Sequence, residues 1–294
     1  MVSSSLGKKI SYSRKIALVV LLLSCVYAIL YSLQLQRPNM GAVAQTVDSG
    51  SNITDSKSSQ GQNETVTTIN ETLADDVNVL NGKAIAFFYS GSFDEAIALS
   101  DRALSIDPNN VDALNNKAAA LFNLGRSNES NAVIDRALAI QPNDVGILNY
   151  KALALLDLGK LNETVAVSDK ALSIDPNNVD ILNNKALALF GLGRFNESNA
   201  LFNRALVVEP NDLETLNNIG LVLYTLGRSN ETVAVSDKAL SIDPNNVDAL
   251  NSKALALADM EEYTEAVVLF DQVLALDPDN TIALENKQLA TTLK

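Results

Sequence analysis

Residues 179–212 read VDILNNKALALFGLGRFNESNALFNRALVVEPND, and this stretch decides the fold. From Val179 to Leu192, the residues Leu182, Ala186 and Leu189 follow at spacings of four and three, which sets them on one face of a helix. Gly193 supplies the left-handed turn that ends that helix. Asn196 is expected to cap a second helix, with Glu197 in its first turn. That helix carries Ala205 and Leu206 inward. It stops before Pro210, which has no N–H to continue it. Asn211 and Asp212 lead into the next segment.

The same pattern extends in both directions. Pro108, Pro142, Pro176, Pro210, Pro244 and Pro278 stand 34 residues apart, and Pro38 is the only other proline. Aligned on them, the chain divides into units 77–110, 111–144, 145–178, 179–212, 213–246 and 247–280, followed by a remnant at 281–294. A strict period of this length predicts a stacked helical array. Small residues recur where helices must approach closely: Ala84, Ala118, Ala152, Ala186, Gly220 and Ala254 in the first helix, and Ala103, Ala137, Ala171, Ala205 and Ala239 in the second.

Over 77–280 the chain resembles the tetratricopeptide repeat family, on Leu182, Ala186, Leu189, Gly193, Ala205, Pro210 and their counterparts. The resemblance implies an all-α fold, a right-handed α-solenoid of stacked antiparallel helix pairs. It also implies that first helices line a concave surface where family members take up extended peptides or partner helices. Three departures stand out. The family's frequent Trp near the start of the first helix is Leu in every copy (Leu80, Leu114, Leu148, Leu182, Leu216, Leu250). Its small residue early in the second helix is Ser130, Thr164, Ser198 and Thr232 in four copies. A usual Leu is Lys83, Lys117, Lys151, Lys185 and Lys253, and these lysines must snorkel or find an acid. Residues 281–294 read as a capping helix, where Gln288 amid Glu285, Asn286 and Lys287 predicts a polar outer face. A longer period overlies the first: residues 162–180 reappear unchanged at 230–248.

Ahead of the array lie three segments. Residues 1–15 hold Lys8, Lys9, Arg14 and Lys15 and read as a basic cytoplasmic N-terminus. Residues 16–35 hold the uncharged run Ile16 to Leu33, whose 18 positions span roughly 27 Å as a helix, close to the thickness of a bilayer core. An uncleaved transmembrane signal anchor is the leading reading. The alternatives are secretion after cleavage at Ala42-Val43-Ala44 and lipid modification at Cys25. Residues 36–76 are rich in Ser, Thr, Asn, Gln and Gly and predict a disordered tether, with candidate glycan acceptors at Asn52, Asn63 and Asn70. Each reading places the array outside the cytoplasm; the leading one makes the chain a single-pass protein of the cell membrane, and cleavage near Ala44 would release it as a secreted one.

Composition excludes much chemistry. The 294 residues contain no His and no Trp, and the only Cys is Cys25. A disulfide framework, a Cys/His zinc site and imidazole catalysis are absent, and no catalytic or phosphate-cradling motif occurs. No cofactor, metal or enzymatic activity is expected. The net charge of −13 lies wholly on residues 77–294, which disfavours nucleic acid. The Asp107-Pro-Asn-Asn-Val-Asp112 motif matches no calcium loop, and its Asn and Asp read as helix caps. The sequons at Asn128, Asn162, Asn196 and Asn230 are likewise expected at caps.

The candidate groove residues are Asn81, Asn115, Asn149, Asn183, Asn217 and Asn251, one per first helix, beside Phe88, Phe122, Leu156, Phe190 and Tyr224. An amide ladder can donate to and accept from a peptide backbone. It can equally brace neighbouring repeats, and the aromatic row can equally pack within the array. The expected function is a membrane-tethered scaffold for a protein or peptide partner. The alternatives are a self-associating envelope protein and an accessory subunit of an envelope-assembly or glycosylation enzyme.

Overall fold

The computed structural model describes residues 76–294. The signal anchor with its alternatives at Ala44 and Cys25, and the tether with Asn52, Asn63 and Asn70, lie outside the described residues. Within them the chain forms thirteen α-helices and no strand. First helices are α1 (Val77–Tyr89), α3 (Val111–Asn123), α5 (Val145–Asp157), α7 (Val179–Gly191), α9 (Leu213–Thr225), α11 (Val247–Asp259) and α13 (Thr281–Leu293). Second helices are α2 (Phe93–Ile106), α4 (Ser127–Ile140), α6 (Leu161–Ile174), α8 (Phe195–Val208), α10 (Ser229–Ile242) and α12 (Tyr263–Leu276). Each first helix starts 34 residues after the previous one.

The described chain divides into two compact units, residues 76–154 and 155–294, with the boundary in sequence falling within α5. In the first unit α1 packs on α2, α2 on α3, α3 on α4, and α1 on α3. Its core gathers Leu80, Leu114, Leu121, Ile134 and Ile147. In the second unit consecutive helices from α6 to α13 pack in chain order, and α9 also touches α11, as α11 touches α13. Its core gathers Leu182, Leu189, Phe202, Ile219, Leu250 and Phe270.

The small residues do what close packing requires. Ala84, Ala152, Ala186, Ala205 and Ala239 have no exposed surface. The hydroxyls early in the second helices are also fully buried, and they find acceptors in two ways. Ser130 donates to the Ala118 carbonyl at 2.8 Å and Ser198 to that of Ala186 at 2.7 Å, tying each second helix to the first helix of its pair. Thr164 and Thr232 donate back along their own helices, to the carbonyls of Lys160 and Arg228.

From the second repeat onward the lysines find acids, while Lys83 lies exposed. Lys117 pairs with Asp101, Lys151 with Asp135 and Lys185 with Asp169, each at 2.5 Å, and Lys253 with Asp237 at 2.8 Å. Each bond joins a second helix to the following first helix, with the lysine stem mostly covered and the carboxylate in solvent. Such half-exposed pairs contribute at most about 1 kcal/mol each, so their main effect is on register. Where the lysine gives way to Ile219, its acid gives way to Asn203, and Ile219 is buried.

Caps follow the sequence at first helices and depart from it at second helices. Asn110, Asn178, Asn246 and Asn280 accept from the third backbone N–H of the helix they precede, as Asp212 does. The sequon asparagines do not cap. Asn128, Asn162, Asn196 and Asn230 are each the second residue of their helix, and the capping positions fall to Arg126, Lys160, Arg194 and Arg228, without a side-chain cap bond. The reason is the tightness of the turn: the left-handed glycine leaves a single residue before the helix begins. A guanidinium fork compensates by gripping the acid of the first turn, Arg126 on Glu129 with both bonds at 2.7 Å and Arg194 on Glu197 at 2.8 and 2.7 Å.

That left-handed residue is Gly91, Gly125, Gly159, Gly193 and Gly227, with φ between 68° and 79°. In the last pair it is Glu261, at φ 66°. A side chain there is strained by roughly 1–2 kcal/mol, partly offset by the greater unfolded-state entropy of glycine. Glu261→Gly should therefore raise stability by about 0.5–1 kcal/mol, read as a higher urea midpoint. A lower midpoint would show that the carboxylate makes a compensating contact.

The outer face of α13 is less polar than expected. Leu284, 49 % exposed, occupies the position where Leu250 is 3 % exposed, and Leu289 and Leu293 are open as well. No described helix follows to cover them.

Candidate functional site

The first helices carry polar files, and the structure divides them by role. Asn81, Asn183 and Asn251 are buried. Asn81 donates to Asn110 Oδ1 at 2.9 Å and Asn251 to Asn280 Oδ1 at 3.4 Å, each reaching the residue that caps the next first helix. Asn183 donates through Nδ2 to the Thr215 hydroxyl of α9 at 2.8 Å. These three brace neighbouring first helices. Asn115, Asn149 and Asn217 are half-buried. The Oδ1 atoms of Asn81, Asn217 and Asn251 have no donor.

The aromatic row also lies largely within the packing. Phe190 is 5 % exposed and meets Phe195 of the next helix with ring centroids 5.2 Å apart. Phe88 meets Phe93 in the same way at 5.5 Å. Phe122, Leu156 and Tyr224 are half-buried against their cores.

A second file, absent from the expected groove, lies one turn earlier on α7, α9 and α11. It consists of Asp180, Glu214 and Asp248, each the second residue of its helix, three positions before Asn183, Asn217 and Asn251. At 100° per residue, that spacing puts carboxylate and amide about 60° apart on one side of the helix. The carboxylates sit in first turns, where the helix dipole favours them. Their surroundings do not. Burial first, and then the charges of Asp212 and Asp180, push the Glu214 carboxyl up to about 7. Partial burial, and secondarily Asp212, raise Asp180, and partial burial raises Asp248, although both residues keep exposed surface. Asp212 is held in place by Thr215, whose N–H and hydroxyl both donate to its Oδ2.

Eight of the ten lysines and arginines of residues 155–294 are engaged elsewhere. Lys185, Lys253 and Lys287 pair with Asp169, Asp237 and Asp271, and Lys160, Arg194 and Arg228 with Glu163, Glu197 and Glu231. Arg204 donates to the Pro176 carbonyl at 3.0 Å and Lys238 to that of Pro210 at 2.6 Å. No lysine or arginine among the described residues forms an ion pair with Asp180 or Asp248. Among the described residues, no group of Cys, Asp and Glu is placed to hold a metal ion.

Glu214 makes stability depend on pH. Its folded pKa lies above the ordinary value of 4.5, so the native state holds its proton more tightly than the unfolded chain. The associated stability is full below about pH 4.5 and is lost as pH rises through about 7. Glu214→Gln should leave stability unchanged at pH 4 and raise it at pH 8 by on the order of 2 kcal/mol, allowing for the solvent that still reaches the group. Urea unfolding of both proteins at the two pH values measures this. An equal difference at both pH values would assign the effect to shape rather than charge.

Sequence models of the tetratricopeptide repeat match residues 87–152, 146–178, 168–198, 213–246 and 236–268, together more than half of the chain. No curated protein matches by sequence. Among solved structures, PilW, described as a type IV pilus biogenesis factor, is 21 % identical with a TM-score of 0.66, over 71 % of this chain and 97 % of that one. YrrB, described as a repeat protein with an unusual peptide-binding site, is 20 % identical with a TM-score of 0.53, over 64 % and 97 %. A tetratricopeptide repeat protein from Parabacteroides merdae is 18 % identical with a TM-score of 0.58, over 73 % and 84 %. At these identities the likeness is one of fold.

Proposed function

We infer the function from one premise, that the chain belongs to the tetratricopeptide repeat family, and we propose that it is a non-enzymatic scaffold. It binds a protein or peptide on the face of its first helices, and it is tethered to the membrane by its N-terminal apolar run with the array on the outer side. The observation that carries the binding face is the division of charge. Eight of the ten bases of the second unit are tied to acids and carbonyls, whereas among the described residues Asp180 and Asp248 form no ion pair and Asn217 Oδ1 and Asn251 Oδ1 accept no hydrogen bond. The peptide-binding site named for YrrB supports the mode of binding, and the basic flank ahead of Ile16 supports the tether and its orientation.

A photocrosslinking residue at Asn217 in the full chain, in its native membrane, tests this against the same residue at Lys170 on α6. Crosslinks to a discrete protein from position 217 alone are expected. Equal labelling from both positions would remove the first-helix face from consideration. Leu284 and Leu289, exposed on α13, favour a second reading, self-association through the end of the array. A concentration-dependent sedimentation coefficient for the full chain in detergent would favour it.

A further inference from the structure

The array is open along one side of α1. Ala86 is exposed, where its counterparts Ala120, Ala154, Ala188 and Ala256 have no exposed surface. Phe87 is 40 % exposed, where Leu121, Leu155, Leu189, Leu223 and Leu257 are at most 5 % exposed. A Cβ placed on Gly82 would meet nothing within 4 Å, yet Asn116, Asn184 and Asn218 are buried at that position. Lys83 is exposed, whereas Lys117 bonds Asp101 of α2. Positions 82, 83, 86 and 87 form one stripe along a helix. In the next repeat that stripe is turned to the preceding second helix, as the Lys117–Asp101 bond and the packing of α2 on α3 show. A helix in the same place ahead of α1 would take Ala86 and Phe87 out of water.

The residues just ahead of α1 carry the pattern of such a helix. Asn63-Glu-Thr-Val66 repeats Asn162-Glu-Thr-Val165 near the start of α6 and Asn230-Glu-Thr-Val233 near the start of α10. Ile69 then stands where α4 buries Ile134, and Leu73 where α6 and α10 carry Leu172 and Leu240. Thr65, Ile69 and Leu73 follow at spacings of four and share one helical side. We propose that residues 62–73 form a helix that docks this side on Gly82, Ala86 and Phe87 of α1 and closes the array. Asp76 fixes the occupant. It caps α1, accepting from the Asn78 N–H at 2.8 Å, so the segment is delivered to that side by its own chain and a second copy must compete with it. The connection lacks the Pro-Asn-Asn of later repeats, so the helix ends a turn earlier than α6 does. Asn63 and Asn70 take the places of Asn162 and Asp169, both exposed, and so keep to the solvent side. Short and rich in Thr, the helix has little stability of its own and holds only while docked.

Hydrogen exchange on the full chain in detergent tests this, with a free peptide of residues 60–76 as the unfolded reference. Amides of residues 66–73 should exchange about tenfold more slowly, or slower still, in the chain than in the peptide. Ile69→Asp should return them to the peptide's rate. Thr67→Asp should not, because its counterpart Ala166 faces solvent. A thiol reports on the other surface. In a chain carrying Cys25→Ser and Phe87→Cys, a maleimide should label position 87 about tenfold faster once Ile69→Asp is added. Unchanged exchange in α3 and α4 verifies that the array of each variant is folded. Exchange of residues 66–73 at the peptide's rate in the parent chain overturns the proposal. So does labelling of position 87 at one rate with and without Ile69→Asp. If that labelling instead slows as protein concentration rises, a second copy covers α1 and the docked segment is discarded.

Discussion

Phe202→Ala is expected to lower stability by about 3–5 kcal/mol, the cost of emptying a fully buried aromatic site. Phe202 has no exposed surface and sits on α8 in the interior of the second unit, in a core shared with Phe190, Leu201 and Ile219. The neighbours are helices held by their own hydrogen bonds, which collapse poorly into a void. Phe270, on α12, is equally buried but nearer the chain's end, with only α13 beyond it in the described fold. In a stacked array each element leans on its neighbours, so a cavity in the interior weakens two interfaces and one near the end chiefly lets the last helices open. Hydrogen exchange measures the difference. Phe202→Ala should speed exchange from α7 to α11, and Phe270→Ala mainly in α12 and α13. Identical patterns would mean that the unit unfolds as one block.

The same position elsewhere shows what the 34-residue period hides. Counterparts of Phe202 are Ser100, Ile134, Ser168 and Ser236, all buried, so bulky and small residues alternate. Ser100 returns its hydroxyl to the Ala96 carbonyl at 2.8 Å, whereas Ser168 and Ser236 have no partner for theirs. The duplication visible at 162–180 and 230–248 therefore reaches into the core.

Helices, their order and the close-packed alanines were legible because each rests on periodicity and on residues with a single conformational use, such as the six prolines. The caps of the second helices were not, because Asn196 satisfies the local rule for a cap while the turn geometry places Arg194 there. The lysine partners were legible only as a need. Asp101, Asp135 and Asp169 lie 16 residues upstream, a separation that no helical period reports. The asparagine file was visible as a row, but its division into braces and half-buried residues depends on Thr215 and the capping residues of the next helix. The carboxylate file was hidden by the same cap logic. An acid in a first turn is the commonest of features, and only the fold shows that Asp212 and Asp180 act on Glu214.

The closest contacts of the array allow a paired expectation. Ala186 on α7 is fully buried, and its carbonyl receives the Ser198 hydroxyl of α8 at 2.7 Å. Ala186→Leu adds three carbons where there is no room, parts the two helices and strains that bond, and should cost about 2–3 kcal/mol. Ala200, on the exposed side of α8, takes the same change within about 0.5 kcal/mol. Gly220 on α9 occupies the position of Ala186 one repeat later. A methyl added there would meet Ser252 Cβ at 3.6 Å and Ser236 Oγ at 3.7 Å, ordinary contact distances. Gly220→Ala should therefore stabilise by about 0.5–1 kcal/mol, since glycine within a helix forfeits that much to alanine. Opposite signs at two equivalent positions would show that the spacing between helices is set by one methyl group. If both changes destabilise, α9 must lie closer to its neighbours than α7 does, and Gly220 is then the residue that permits the approach.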